Sequence, residues 1–77
     1  MYKLYFKSSC PFCQKVIGFA EERSINFEKI DVTDPENLEE LIKLGGKKMV
    51  PFLVDTSENV MMYESSDIIN YLDKKSS

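Results

Sequence analysis

The stretch Lys7-Ser8-Ser9-Cys10-Pro11-Phe12-Cys13 decides the fold. Before it, Tyr2 to Phe6 is rich in aromatics, with apolar Leu4 and Phe6 on one face, which predicts a strand. Ser8 and Ser9 break that strand. After it, Phe12, Val16, Phe19 and Ala20 recur at helical spacing, with Glu21, Glu22 and Arg23 on the solvated side. Pro11 suits the first helical turn, where its missing N–H leaves no bond unmade. The two cysteines therefore stand where a strand gives way to a helix. Unpaired backbone N–H groups and the positive end of the helix dipole gather at that point and favour a thiolate on Cys10. Cys13, one turn further in, lies on the same side of the helix and within reach of a mixed disulfide formed on Cys10.

Outward from this motif, Phe27 to Asp31 reads as a strand from the imperfect alternation of Phe27, Ile30 and Val32 with charges. Thr33-Asp34-Pro35-Glu36 carries a capping residue, a first-turn proline and acidic residues favoured by the dipole, so a second helix starts there. Leu38, Leu41 and Ile42 form its expected buried stripe, and Gly45-Gly46 ends it. Pro51-Phe52-Leu53-Val54 and Asn59 to Tyr63 predict two strands joined by the polar turn Asp55-Thr56-Ser57-Glu58, as a hairpin. Ser65 is the expected N-cap of a last helix whose Ile68, Ile69 and Leu72 face inward, before Lys74-Lys75-Ser76-Ser77 frays. The order is strand, helix, strand, helix, strand, strand, helix. A right-handed crossover makes the first two strands parallel, and the closing hairpin is antiparallel. The expected fold is α/β, a four-stranded mixed sheet with helices on both faces, the smallest form of the thioredoxin-like architecture.

Seventy-seven residues are expected to make one domain, residues 1–77, near the size at which a hydrophobic core alone is marginal. Hydrophobic residues at 43% and charged residues at 30% give an ordinary globular balance, which excludes intrinsic disorder. A formal charge of −3 argues against a nucleic-acid or anionic-membrane partner, because both need a basic face. No apolar run approaches the roughly 20 residues of a membrane span, and the polar residues after Phe6 do not suit a signal peptide. The expected location is the cytoplasm. Two cysteines three positions apart cannot staple distant segments, so in a reducing compartment they point to redox chemistry or metal. Structural zinc uses four ligands, and a chain with two thiols and no histidine does not supply them, so no metal is expected. The bland alternative, two core thiols that only pack, fits poorly with a helix start.

Three segments resemble the signature segments of dithiol glutaredoxins: Lys7 to Cys13, then Met49-Val50-Pro51, then Glu64-Ser65-Ser66-Asp67. The likeness spans nearly the whole chain, and the first segment is the most specific. The resemblance implies a cis proline at Pro51 packed against the active site, with the Val50 backbone pairing with the cysteinyl part of glutathione. Met49 departs from the usual threonine. Tyr63-Glu64 replaces the family's glycine pair, and Glu64-Ser65 followed by Ile68 and Tyr71-Leu72 is similar instead to the N-terminal domain of glutathione transferases. Both families bind a carboxylate at a helix N-terminus here, which agrees with the physics of helix ends. By resemblance, Ser65 and Ser66 take the γ-glutamyl carboxylate and Asp67 its amine, while plain capping explains Ser65 equally well. Phe12 lines the site beside the reactive sulfur. Lys7 is an ordinary surface lysine by composition, but beside the motif it can stabilise the thiolate and accept the glycine carboxylate of glutathione. Lys47 and Lys48 add positive field on the same rim or are simply a solvated loop.

The resemblance implies an enzyme: a glutathione-dependent thiol–disulfide oxidoreductase, monomeric, acting on disulfide or glutathionylated proteins through Cys10 and Cys13. Two rivals remain. One is a redoxin electron donor reduced by a thioredoxin reductase, whose usual aromatic, arginine-bearing tail is missing from Tyr71-Leu72-Asp73-Lys74-Lys75. The other is a glutathione-ligated iron–sulfur carrier, which Pro11 disfavours because cluster-binding relatives usually place a small residue within the motif.

Overall fold

The structure is a computed structural model and describes residues 1–76. Its elements run β1 (Tyr2–Phe6), α1 (Pro11–Glu22), β2 (Phe27–Asp31), α2 (Pro35–Gly45), β3 (Phe52–Asp55), β4 (Val60–Met62) and α3 (Ser65–Ser76). The sheet order is β2-β1-β3-β4. β1 runs parallel to β2 and antiparallel to β3, and β3 and β4 form the antiparallel hairpin. This is the mixed thioredoxin-like sheet read from the sequence. Asn59 closes the hairpin turn at φ 55°, a left-handed conformation that asparagine tolerates better than most residues.

The sheet buries both faces. On one, Leu4 and Leu53 pack with Val16, Ile17 and Ala20 of α1 and with Ile68 and Leu72 of α3. On the other, Tyr5, Phe52 and Val54 pack with Ile30, Val32 and Leu41. Neighbouring residues Leu4 and Tyr5 thus face opposite cores, as the period of a strand requires. Fully burying one such side chain contributes about 1.5–3 kcal/mol. Both layers are needed in a domain of this size.

Several boundaries and faces differ from expectation. The core stripe of α1 is Cys13, Val16, Ile17 and Ala20; Phe12 is 61% exposed and Phe19 only half-buried. The helix is rotated toward the face that carries Cys13, because α1 packs against α3 as well as on the sheet. Ile42 is 41% exposed, since α2 meets the sheet along one narrow line through Leu41, with Leu38 half-buried beside it. Ser65 is the first helical residue of α3 and not its cap; the Ile68 amide donates to the Glu64 carbonyl at 2.9 Å, which puts Glu64 at the capping position. Lys74 to Ser76 remain helical, and Ser77 lies outside the described residues.

The helix punctuation holds elsewhere. Asp34 caps α2 by accepting from the Glu36 amide at 3.0 Å, and Pro35 opens the first turn. Gly46 closes the helix in the left-handed region at φ 83°, which favours glycine.

Candidate active site

Strand register brings three distant segments to one end of the sheet. Tyr5 near the end of β1 pairs with Phe52 at the start of β3, and Leu53 pairs with Met62 at the end of β4. The chain leaving β1 toward Cys10, the chain entering β3 through Pro51 and the start of α3 therefore converge. The Val50–Pro51 bond is cis.

Cys10 caps α1. It has extended backbone, and its sulfur accepts a hydrogen bond from the Cys13 amide at 3.3 Å. Its own amide donates to the Lys7 carbonyl at 3.1 Å, and its carbonyl accepts from the Gln14 amide at 3.1 Å. The Gln14 side chain donates to the Ser8 carbonyl at 3.2 Å, so the loop before Cys10 is tied to the helix after it. No acidic side chain occupies the first turn of α1. An anion at such a helix end is favoured by about 0.3–1 kcal/mol, and by up to about 2 when partly buried. Across the site, the Cys10 sulfur lies 4.0 Å from the Val50 carbonyl oxygen.

The two cysteines are free thiols in unlike surroundings: Cys10 is half-buried and Cys13 fully buried. Burial pushes the Cys13 thiol up to about 12, and its hydrogen bond to Cys10 adds to the rise. One turn of helix thus separates an accessible sulfur at a dipole end from a buried, protonated one.

Two grooves flank Met49 and Val50. The first, about 320 Å³, is lined by Lys7, Lys48, Val32, Thr33, Leu38 and Leu41 together with that pair. The second, about 210 Å³, adds Phe12, Pro51, Tyr63, Glu64 and Ser65 to the same two residues. Of the residues singled out from sequence, Lys7, Phe12, Val50, Pro51 and Ser65 line these grooves. Ser66 and Asp67 do not line either one; both are exposed in the first turn of α3, where backbone amides have no partner within the helix. Val32, Thr33, Leu38 and Leu41 join the first groove through tertiary packing; their sequence signals mark strand, helix start and helix core and not a site. Met49, Lys48, Tyr63 and Glu64 adjoin or fall within the segments already quoted. Among the described residues, no group of three or more histidine, cysteine, aspartate or glutamate side chains is placed to hold a metal ion.

The family model described as glutathione S-transferase, N-terminal domain, matches residues 4–77, and the chain belongs to that family. Its sequence is glutaredoxin-like: Glutaredoxin 1 of Rickettsia felis is 39% identical over 51 residues, covering 62% of this chain and 50% of that protein. The chain therefore spans about half the length of the curated relatives it matches. Glutaredoxin 2 of Salmonella typhimurium, solved in complex with glutathione, superposes with a TM-score of 0.83 at 29% identity, covering 97% of this chain and 34% of that one. NrdH-redoxin from Escherichia coli, a glutaredoxin-like protein of thioredoxin-like activity profile, superposes with a TM-score of 0.75 at 26% identity, covering 92% of each chain.

Proposed function

We propose that this chain is a glutathione-dependent thiol–disulfide oxidoreductase, with Cys10 as nucleophile and Cys13 as resolving thiol. The observation that carries the reading is Cys10 at the cap of α1, receiving the Cys13 amide at 3.3 Å and facing Val50 beside the cis peptide bond. The Salmonella glutaredoxin solved with glutathione supports it, as does membership in the transferase N-terminal-domain family.

In the cycle, the Cys10 thiolate attacks the glutathione sulfur of a glutathionylated substrate. A Cys10–glutathione disulfide forms, the substrate sulfur leaves as thiolate, and that thiolate takes a proton from water. A second glutathione thiolate attacks the glutathione sulfur of this disulfide, giving oxidised glutathione and restoring the Cys10 thiolate. With a protein disulfide, Cys10 becomes joined to the substrate. Cys13 loses its proton and displaces the substrate as a thiol, and two glutathiones then reduce the Cys10–Cys13 disulfide.

Lys7 offers a cation to the glycine carboxylate of glutathione, and Lys48 on the same groove reinforces it. The Val50 backbone pairs with the cysteinyl unit, with Pro51 and Phe12 closing the site around it. The free amides at Ser65 and Ser66 receive the γ-glutamyl carboxylate, and Asp67 its amine. In this reading the chain acts as a monomer in the cytoplasm on disulfide and glutathionylated proteins. The test is a glutathione-coupled assay with glutathione reductase on a small disulfide and on a glutathionylated peptide. Turnover of both is expected, and absence of turnover of either sinks the reading.

The likeness to NrdH-redoxin over 92% of both chains favours a second reading, an electron donor reduced by a thioredoxin reductase. Substituting that reductase for glutathione and glutathione reductase in the same assay separates the two.

A further inference from the structure

Tyr63 stands between β4 and α3, at the mouth of the second groove. Its ring packs on Phe52 with centroids 4.5 Å apart, so the side chain is anchored in the sheet. Its hydroxyl accepts from the Lys47 amide at 3.0 Å and donates to the Lys47 carbonyl at 2.9 Å. One hydroxyl, with one donor and two acceptor sites, thereby satisfies both backbone groups of one residue. The Lys47 ammonium also lies 5.8 Å from the centre of the same ring.

Residues 46–50 belong to no helix or strand. The next three residues after Lys47 are Lys48, Met49 and Val50, which line the first groove, and the last two line the second as well. Gly45 gives an independent sign that the hydroxyl has a reserved place. A Cβ there would overlap the Tyr63 hydroxyl and sit 2.7 Å from its Cζ and 3.0 Å from Cε1 of Phe52. Gly45 thus serves as more than a helix stop: it leaves the space in which the Tyr63 hydroxyl meets Lys47.

We propose that Tyr63 is a positioning residue for glutathione: its hydroxyl clasps the Lys47 backbone and so sets the Lys48–Val50 wall of the binding grooves opposite Cys10. The inference rests on the glutathione-dependent reading above. Tyr63 acts through the loop and touches none of the sulfurs that exchange, so it governs how well glutathione is held more than how fast sulfur transfer occurs.

The primary variant is Tyr63→Phe, which keeps the ring on Phe52 and removes only the hydroxyl. The Lys47 amide, exposed at the surface, then exchanges with solvent faster, read by hydrogen exchange in the full chain. The glutathione KM is expected to rise about three- to tenfold, the scale of one or two lost hydrogen bonds, with kcat within about twofold. A hydroxyl that only stabilised the fold would lower the melting temperature and leave KM in place. Gly45→Ala should produce the same rise in KM, and a smaller additional one in the Tyr63→Phe background, because the two changes act on one contact. An unchanged KM in Tyr63→Phe overturns the clasp, as does unchanged exchange at Lys47. A wild-type protein that uses no glutathione overturns both the clasp and the reading beneath it, so the two failures are distinguishable.

Discussion

The Cys13 amide donates to the Cys10 sulfur at 3.3 Å, while the Cys13 thiol is buried and pushed up to about 12. A single residue thus offers its amide to the sulfur at the start of α1 while its own sulfur lies in the core. Burial is the largest cause of the raised Cys13 value, and a side-chain hydrogen bond to Cys10 is the second.

The two cysteines should divide their labour. Cys13→Ser is expected to retain reduction of a glutathionylated peptide, because a second glutathione releases Cys10, while slowing protein-disulfide reduction by about tenfold or more. Cys10→Ser should abolish both. Parallel assays of the two substrates check this, and equal loss of deglutathionylation in the two variants would contradict the assignment.

Alkylation should discriminate between the sulfurs. At pH 7 to 8, iodoacetamide is expected to label Cys10 alone, since Cys13 is buried and stays protonated far below about 12. Raising the pH toward 9 enlarges the Cys13 thiolate fraction, so the dithiol route should accelerate over that range. Peptide mass spectrometry after timed labelling reads the first expectation, and single-turnover release of a mixed disulfide reads the second.

Lys7→Glu should weaken glutathione use, because the groove it shares with Lys48 would lose one positive charge and gain a negative one. A rise in glutathione KM of about three- to tenfold is expected, on the scale of a lost charge-assisted hydrogen bond. The difference from wild type should shrink at high salt, where exposed charges are screened. A KM identical to wild type at low salt would reduce Lys7 to a surface residue.

Acid stability should depend on Tyr71. The Asp55 carboxylate is buried, accepts from the Tyr71 hydroxyl at 2.7 Å and from the Ser57 amide at 3.0 Å, and is held below the usual carboxylate range, chiefly by Tyr71. A carboxyl lowered on folding adds stability that is full above its unfolded value of about 3.9 and is lost as pH falls through its lower folded value. Tyr71→Phe is therefore expected to destabilise by about 1–3 kcal/mol at pH 7 and to reduce the loss of stability between pH 5 and pH 2. Urea unfolding of both proteins across that range measures it.

Local chemistry determined the order of the elements, the starts of α1 and α2 at Pro11 and Pro35, the close of α2 at Gly46 and the place of Cys10 at the start of α1. Proline, glycine, capping side chains and apolar period act over a few residues, so they are readable without the rest of the chain. Which face each helix turns inward was not readable in the same way. Phe12 and Ile42 have the apolar character of core residues but face outward, because helix rotation is set by what α1 and α2 pack against. The site divides along the same line. Cys10 and Cys13 stand within one turn of helix, whereas Val32, Thr33 and Leu38 meet Lys7 and Val50 only because the sheet and α2 bring them together. The burial that holds the Cys13 thiol protonated is likewise a property of the packed core. Local sequence placed the two thiols one turn apart at a helix start; tertiary structure set what surrounds them, since strand register and helix packing join positions far apart in the chain.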